Sequence, residues 1–339
     1  PGFVMSLFAL YQRTTAQGLN PSDEDIHNAL SGNLCRCTGY RPIVESACQL
    51  THSKAAHPIE VSTIRAALQT LTPRDNARST YALPTHLDEL LQLRSARPKA
   101  RLIAGATDAG LELTQTLSTW DSVIDLSRVS ELRRVESFVH HIAIGAAVPL
   151  QQAFDALSAD RPEISMPLLL ALGASVVLMR WHDGARSERE VLLSDFYTGY
   201  RQTVMAPDEV LAFVQVPRPV SGEWLGIYKV AKRQEDDISA ICLGLHWVST
   251  QGRLIGVRIG VGGVAATPVR ALKTESLLEG QIDSREVWAE AMKTIAQEFN
   301  PLSDLRASAD YRRRVLSQLL ERAWVERRGH HLVRLEDVQ

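Results

Sequence analysis

Cysteine is scarce in this sequence, with four residues in a chain of 339. So few cysteines make a poor disulfide framework, which favours a reducing cytoplasm. An excess of one charge is also lacking, because 37 Lys and Arg stand against 39 Asp and Glu, a net charge of −2. Without a net basic field, the chain is not expected to bind nucleic acid or an anionic membrane surface.

Long hydrophobic runs are missing as well. The longest apolar stretch, from Met166 to Met179, is interrupted by Pro and Gly and falls short of the roughly 20 residues that a membrane span needs. The chain opens at Pro1 with neither Met nor a charged segment, so we expect no secretory signal peptide and a start other than that of the gene. These absences predict a cytoplasmic protein without a membrane partner.

The composition is that of a folded protein. Hydrophobic residues make up 45% and charged residues 22% of the chain, and its length suits two or three domains. Residues 1–50 predict three helices, and residues 51–79 a linker with at most one short helix. From Tyr81 short strands alternate with helices, and the last hundred residues predict a β-hairpin across Thr250-Gln251-Gly252 followed by three helices. The fold class is therefore α+β and multidomain.

The individual elements follow from hydrophobic periodicity and cap residues. Strands are predicted at residues 101–104, 123–126, 141–145, 174–178, 209–216, 225–229, 238–248 and 254–261. Helices beyond the first fifty residues are predicted at 87–93, 150–157, 269–278, 285–297 and 308–326.

Cys35 and Cys37 form a C-x-C pair on the predicted loop between the second and third helices. Such a pair cannot close a local disulfide comfortably, but it can supply two thiolates to one metal centre. A [2Fe–2S] cluster needs four such ligands, so two more would have to come from elsewhere. For a bare pair, two small buried cysteines remain the alternative.

The surrounding residues point to a cluster. Gly32 to Ile43 matches G-N-x-C-R-C-T-G-Y-x-P-I, which resembles the helical [2Fe–2S] domain of the xanthine oxidase (molybdenum hydroxylase) family. Pro1 to Ser6 resembles the residues that follow the first cysteine pair of that family, C-G-x-C-T-P-G-F. The resemblance implies that Cys35 and Cys37 are two of four cluster ligands, and that the other two and a plant-type ferredoxin domain lie upstream. Cys48 and Cys242 are expected to be buried structural cysteines.

A strand that runs into a tight turn gives the first flavin signal. Small residues there let backbone N–H groups face an anion such as a pyrophosphate. The turn resembles the family's A-G-G-T-D flavin turn, with Ala106 in place of the second glycine. Alanine fits there only if its φ is negative or if the ligand stands slightly further off. The resemblance implies an FAD site formed by Leu102, Ile103, Ala104, Gly105, Ala106, Thr107, Asp108 and Ala109.

Two further segments carry flavin signals. The charged run from Tyr228 to Ser239 resembles the family's Y-K-x-x-K-R-x-D-D-I-S motif, which implies that Lys229 lies beside the flavin; a solvated loop is the alternative. Leu211 matches a strand residue that packs on the ring system. The segment from Val261 to Pro268 resembles the G-G-x-A-x-x-P turn of the family's C-terminal domain.

One departure from the family concerns a loop after the helix that ends near Leu157. The family has a glycine-rich loop resembling G-T-x-G-G-N and then a small-polar stretch ending in G-D. In this chain Pro162 to Pro167 passes directly to Leu168. A few dozen residues that would carry the second flavin phosphate and the ring loop are therefore absent.

The resemblance predicts five segments. Residues 1–52 form part of a helical [2Fe–2S]-binding domain, and residues 53–79 form a linker. Residues 80–217 form a two-subdomain FAD-binding domain of the PCMH type, shortened near 165–170. Residues 222–328 form an α+β C-terminal flavoprotein domain with an antiparallel sheet and helices, and residues 329–339 form a tail.

The function implied by the resemblance is electron transfer in a xanthine dehydrogenase-like enzyme. A separate large subunit would hold the molybdenum cofactor and oxidise the purine, and electrons would pass through [2Fe–2S] to FAD and on to NAD+. We expect a heterodimer or a higher hetero-oligomer and no catalytic residue on this chain, since the chemistry belongs to the cofactors. Two alternatives stay open: the equivalent subunit of a molybdenum hydroxylase acting on an aldehyde or N-heterocycle, and a truncated product that only binds its partner. His140-His141 and His330-His331 lack the helical spacing of a metal site.

Overall fold

The computed structural model describes residues 2–35, 39–50, 60–70, 80–158, 165–232 and 238–329. The chain divides into two compact units. The first comprises Pro1–Asp75 with Ala231–Ile238, and the second comprises Asn76–Val230 with Ser239–Gln339. In the described parts of the chain, no helix is long and apolar enough to cross a bilayer.

The first unit is helical, as predicted. Its helices are α1 (Gly2–Ala16), α2 (Asp23–Leu30), α3 (Arg41–Leu50) and α4 (Val61–Gln69); α4 is the short helix expected in the linker. Ser22 caps α2 reciprocally: its hydroxyl accepts from the N–H of Asp25, whose carboxylate accepts from the N–H of Ser22. A small core of Leu10, Ile26, Leu30 and Ala47 holds α1, α2 and α3 together.

The second unit begins with a small parallel sheet. Its strands β1 (Tyr81–Ala82), β2 (Arg101–Ile103) and β3 (Val123–Asp125) lie in the order β1-β3-β2. Helix α5 (Leu87–Ala96) precedes β2, and the short helix α6 (Ala109–Thr114) follows it. Two 3₁₀ turns, Leu126–Arg128 and Glu131–Arg133, lead out of the sheet.

A five-stranded antiparallel sheet follows, with order β4-β5-β10-β6-β7. Its strands are β4 (Val135–Ser137), β5 (His141–Gly145), β6 (Ser175–His182), β7 (Ala185–Leu192) and β10 (Val210–Pro217). Helices α7 (Leu150–Leu157), α8 (Met166–Leu172) and α9 (Leu193–Phe196) and the hairpin of β8 (Tyr197–Gly199) and β9 (Gln202–Thr203) accompany it.

The last part of the second unit is the predicted antiparallel sheet with helices. Strands β11 (Glu223–Val230), β12 (Ile241–Thr250), β13 (Arg253–Gly262) and β14 (Val269–Arg270) pair in sequence order. Gln251 and Gly252 both have positive φ, 50° and 74°, as a two-residue hairpin turn of type I′ requires. Helices α10 (Leu272–Leu278), α11 (Arg285–Glu298) and α12 (Ala309–Arg327) follow. The α+β fold class is confirmed.

Helix α8 fills the place where the sequence joins two family segments. Its residues from Pro167 to Leu172 are all buried, Ser165 caps its N-terminus, and Gly173 ends it with a φ of 71°. A Cβ on Gly244 or Gly260 would lie 2.7 Å or 2.0 Å from the carbonyl oxygen of Pro167. The two glycines therefore let strands β12 and β13 pack directly against the helix backbone. Residues 159–164, on the other side of the join, lie outside the described residues.

Candidate cofactor sites

The predicted flavin turn connects β2 to α6. Ala104, Gly105, Thr107 and Asp108 are exposed, while Ala106 is half-buried. Within the described chain, the N–H groups of residues 105–108 have no acceptor, whereas the carbonyl of Ala106 accepts from the N–H of Gly110 at 2.7 Å. Consecutive unpaired N–H groups are the donors that a phosphate recruits, so the turn fits one phosphate of FAD.

The conformation of Ala106 contradicts one sequence expectation. Its φ is +58°, next to Gly105 at +80°, so the proposed negative φ for this alanine is wrong. The left-handed region brings the alanine Cβ close to a carbonyl oxygen and costs about 1–2 kcal/mol. The remaining expectation is that the ligand stands slightly further from the turn. Backbone strain of this kind concentrates at ligand clamps.

The two predicted ring contacts, Leu211 and Lys229, are in the second unit. Leu211 lies on β10 and is half-buried; it packs on the same hydrophobic cluster as Leu225 and Ile227 of β11. Because side chains alternate along a strand, Lys229 belongs to the face of β11 that carries Leu225 and Ile227. Its side chain is exposed. In the described chain, Lys229 forms no hydrogen bond or ion pair to the flavin turn, and residues 233–237 of the charged run lie outside the described residues.

A buried arginine that the sequence did not suggest explains the Gly262-Gly263 turn. Arg312 of α12 is 4% exposed and donates to the carbonyls of Ala240 and Gly263 at 2.7 Å and 2.8 Å. It also donates to Asp304 at 2.6 Å. The N–H groups of Ala307 and Arg306, and then Arg312, lower the pKa of Asp304 to about 2. Gly263 has a φ of 88°, and a Cβ there would lie 2.3 Å from the carbonyl oxygen of Ala240. The motif therefore has a packing role.

The cysteine loop of the first unit is held by an aromatic side chain. Cys35 is half-buried and donates its N–H to the hydroxyl of Tyr40 at 3.0 Å. Tyr40 has a φ of 71° and stacks edge-on against Phe3 of α1. The amide of Asn33 donates to the hydroxyl of Ser6 at 2.9 Å, which fixes the loop to the same helix. Cys35 thus fits one ligand of a cluster.

Other ligands are not supplied by the described residues. Cys37 lies outside them, and the parts of the chain that the structure describes contain no group of three or more His, Cys, Asp or Glu placed to hold a metal ion. A [2Fe–2S] cluster needs four thiolate ligands, and of the two cysteines predicted for it only Cys35 lies among the described residues.

Cys48 and Cys242 do not behave as ligands. The Cys48 thiol is half-buried and donates to Asp23 at 3.5 Å. Desolvation, followed by the Asp23 carboxylate, raises the pKa of Cys48, which opposes the thiolate that a metal needs. Cys242 is buried on β12 with its sulfur 3.8 Å from the hydroxyl of Ser165. The expectation of a buried structural thiol holds for Cys242, while Cys48 is only partly covered.

Three family models match the chain in succession. A [2Fe-2S] binding domain matches residues 1–48. The FAD binding domain in molybdopterin dehydrogenase matches residues 76–165 and 157–219. The CO dehydrogenase flavoprotein C-terminal domain matches residues 226–327. The second model matches in two pieces that overlap at residues 157–165, close to the shortening expected near residues 165–170.

Curated relatives are xanthine dehydrogenases. The chain is 25% identical over 404 residues to xanthine dehydrogenase/oxidase of Gallus gallus, covering 88% of this chain and 30% of the relative. It is 26% identical over 399 residues to xanthine dehydrogenase 1 of Arabidopsis thaliana, covering 87% of this chain and 29% of the relative. The chain therefore spans about 30% of the length of these relatives. Since 88% of 339 residues is about 298, roughly 100 positions of the Gallus gallus alignment have no counterpart in this chain.

Solved structures share the fold. Carbon monoxide dehydrogenase from Hydrogenophaga pseudoflava superimposes with a TM-score of 0.65 at 22% identity, covering 72% of this chain and 94% of that chain. Quinoline 2-oxidoreductase from Pseudomonas putida 86 gives a TM-score of 0.60 at 22% identity, covering 73% of this chain and 95% of that chain. With the three domain matches in their order, this chain belongs to the molybdenum hydroxylase family, as an iron–sulfur and FAD chain that spans about 30% of the length of its curated relatives.

Proposed function

We propose that the chain transfers electrons in a xanthine dehydrogenase-like enzyme that oxidises hypoxanthine and xanthine. The observation that carries this proposal is the order of the three domain matches, iron–sulfur before FAD before flavoprotein C-terminal domain. The named relatives, which are xanthine dehydrogenases, support the purine substrate.

The residues have separate tasks in this proposal. Cys35 and Cys37 are thiolate ligands of [2Fe–2S], and Tyr40 positions the loop through its hydrogen bond to the N–H of Cys35. The N–H groups of residues 105–108 hold a phosphate of FAD, and Leu211 and Lys229 border the ring. The cluster would supply one-electron transfer, and FAD would supply the conversion of two single electrons and a proton into a hydride for NAD+.

A partner is part of the proposal. The molybdenum cofactor would sit on a large subunit, and the two would form a heterodimer or a higher hetero-oligomer in the cytoplasm. Purine oxidation takes place on that subunit, so this chain determines where the electrons go and not which substrate is oxidised.

Co-expression with a molybdenum-cofactor large subunit of a xanthine dehydrogenase tests the proposal. With FAD added in excess, anaerobic xanthine should bleach the flavin absorbance, and NAD+ should then yield NADH. In a longer version that carries the two upstream cysteines implied by the resemblance, Cys35→Ser should remove one [2Fe–2S] EPR signal, because oxygen is a poor ligand for this soft site; Ser31→Ala, on the exposed end of α2, is the control. With only two of the four ligands, the present chain should hold no stable cluster. If an aldehyde or N-heterocycle reduces the flavin and xanthine does not, the substrate assignment is wrong.

A second candidate is a chain that binds its partner without carrying electrons. The strained Ala106 in the flavin turn and the roughly 100 unmatched alignment positions favour it. The visible spectrum of the purified complex separates the two candidates. Flavin absorbance in stoichiometric amount supports electron transfer, and its absence supports the partner-binding product.

A further inference from the structure

A cavity of about 720 Å³ opens beside the parallel sheet, at the end where its strands begin. Ala100 and Arg101 contribute from the start of β2, Ser122 from the residue before β3, and Arg94 and Arg97 from the end of α5. Parallel strands start at the same edge of a sheet, and three residues span about 10 Å. The flavin turn follows the opposite end of β2, and of the residues predicted for the FAD site only Leu102 lines the cavity.

The lining of the cavity is predominantly cationic. The cavity is lined by four basic residues and two acidic ones: Arg94, Arg97, Lys99 and Arg101, and Glu112 and Asp121. Clefts lined by one sign of charge concentrate ligands of the opposite sign.

One of the two carboxylates, that of Glu112, is already bound by neighbouring side chains. Glu112 forms an ion pair with Arg101 and accepts a hydrogen bond from the indole N–H of Trp120 at 3.3 Å. Among the described residues, no acidic group lies within ion-pair distance of the side chains of Arg97 or Lys99. The positive charge that these two side chains bring to the cavity is therefore uncompensated.

Trp120 gives the cavity an aromatic wall. It is half-buried, and the guanidinium of Arg101 lies 5.9 Å from the centre of its ring. The cavity volume falls within the range of small-molecule sites, so there is room for a ring as well as an anion.

We propose that this cavity binds a phosphorylated ring compound of the nucleoside monophosphate class. Arg97 and Lys99 bind the phosphate, because guanidinium and ammonium groups are the side chains that bind phosphate dianions. The ring of the ligand packs against Trp120. Neither the FAD site nor the cluster loop uses any of these side chains.

Calorimetric titration of the purified chain with AMP, adenosine and inorganic phosphate tests the proposal, with and without added FAD. AMP should bind, and adenosine and inorganic phosphate should each bind at least tenfold more weakly. Arg97→Ala and Lys99→Ala should each weaken AMP binding about tenfold, the value of one charge-assisted hydrogen bond. Lys273→Ala removes the same charge at an exposed position outside the cavity and should leave the affinity unchanged.

Three outcomes would overturn the proposal. Inorganic phosphate that binds as tightly as AMP would leave no role for the ring. AMP that competes with FAD would place the binding at the flavin turn. An equal loss in Lys273→Ala would mean that general surface charge attracts the nucleotide. Circular dichroism of each variant separates loss of binding from loss of fold.

Discussion

At the scale of single residues, Ala106 is the position where backbone strain and the candidate FAD site coincide. Its φ of +58° follows a glycine at +80°, and a Cβ on that glycine would meet no atom within 4 Å. An alanine at either position is therefore disfavoured by its backbone conformation, and at position 105 it would not clash with another atom.

Ala106→Gly should stabilise the chain. Relief of the left-handed conformation gives about 1–2 kcal/mol, and the added freedom of the unfolded chain removes about 0.4–1 kcal/mol. We expect a net gain of about 0.5–1 kcal/mol in the free energy of unfolding, measured in urea. Gly105→Ala is the matched control and should lose about 1 kcal/mol. If Ala106→Gly destabilises as much as the control does, the conformation assigned to Ala106 is wrong.

Lys229 gives the second residue-scale prediction, which rests on the proposed function. Its side chain is exposed at the end of β11, so Lys229→Ala should change stability by less than about 0.5 kcal/mol. In the assembled enzyme we expect slower NAD+ reduction and nearly unchanged electron transfer from substrate to an artificial dye. Equal loss of both activities would indicate a folding effect, and equal retention would return Lys229 to the solvated surface. Lys273→Ala is again the control.

At the scale of elements, helix α8 determines how the second half of the chain packs. Its backbone lies against two strands through Gly244 and Gly260, so β12 and β13 depend on it. Helix packing this close tolerates only glycine at the contact.

Gly260→Ala should be strongly destabilising. The new Cβ would lie 2.0 Å from the carbonyl oxygen of Pro167 and 3.0 Å from the Cβ of Leu170. Overpacking of a core costs about 1–3 kcal/mol, and more where backbone must move, so we expect about 3 kcal/mol in urea unfolding. Gly110→Ala, in α6 with no atom within 4 Å of the new Cβ, should be neutral or stabilise by up to about 1 kcal/mol. Equal effects of the two substitutions would mean that α8 does not pack as described.

The elements also show how far sequence reasoning reaches. Local signals were sufficient for the Ser22 cap and for the Gln251-Gly252 turn, because both depend on residues within three positions. Strand β7 was missed, since its alternating Arg and Glu residues resemble a solvated loop; it is an edge strand, where such charges are usual. The sequence analysis did not predict α8, because its short apolar run does not differ from a buried strand in periodicity.

The candidate sites show the same contrast between local signals, which the sequence reveals, and long-range contacts, which it does not. The motif residues could be found by resemblance, because they are contiguous in sequence. The role of Arg312 could not, because its hydrogen bond to Ala240 joins residues 72 positions apart. The positive φ of Ala106 is imposed by the path of the chain from β2 to α6 and contradicts the residue's own preference.

At the scale of the whole molecule, folding and FAD binding are separable. The second unit has three buried hydrophobic clusters, and Leu168, Leu170 and Leu172 of α8 belong to one of them. The chain can therefore form its core across the join at Pro167-Leu168 without the loop that its family resemblance implies. Without that loop, fewer backbone groups can contact FAD.

We accordingly predict that the purified chain folds but binds FAD weakly. Only the turn from Ala104 to Asp108 remains of the two backbone turns that the resemblance implies, and each lost charge-assisted hydrogen bond removes about 1.5–3 kcal/mol. Two or three such losses weaken binding by about a hundredfold or more. Quenching of flavin fluorescence on titration measures the dissociation constant, and thermal unfolding monitored by circular dichroism checks the fold. Replacing residues 159–164 by the corresponding longer segment of the Gallus gallus relative should tighten binding at least tenfold. A nanomolar dissociation constant for the unaltered chain would show that the join leaves the FAD site complete.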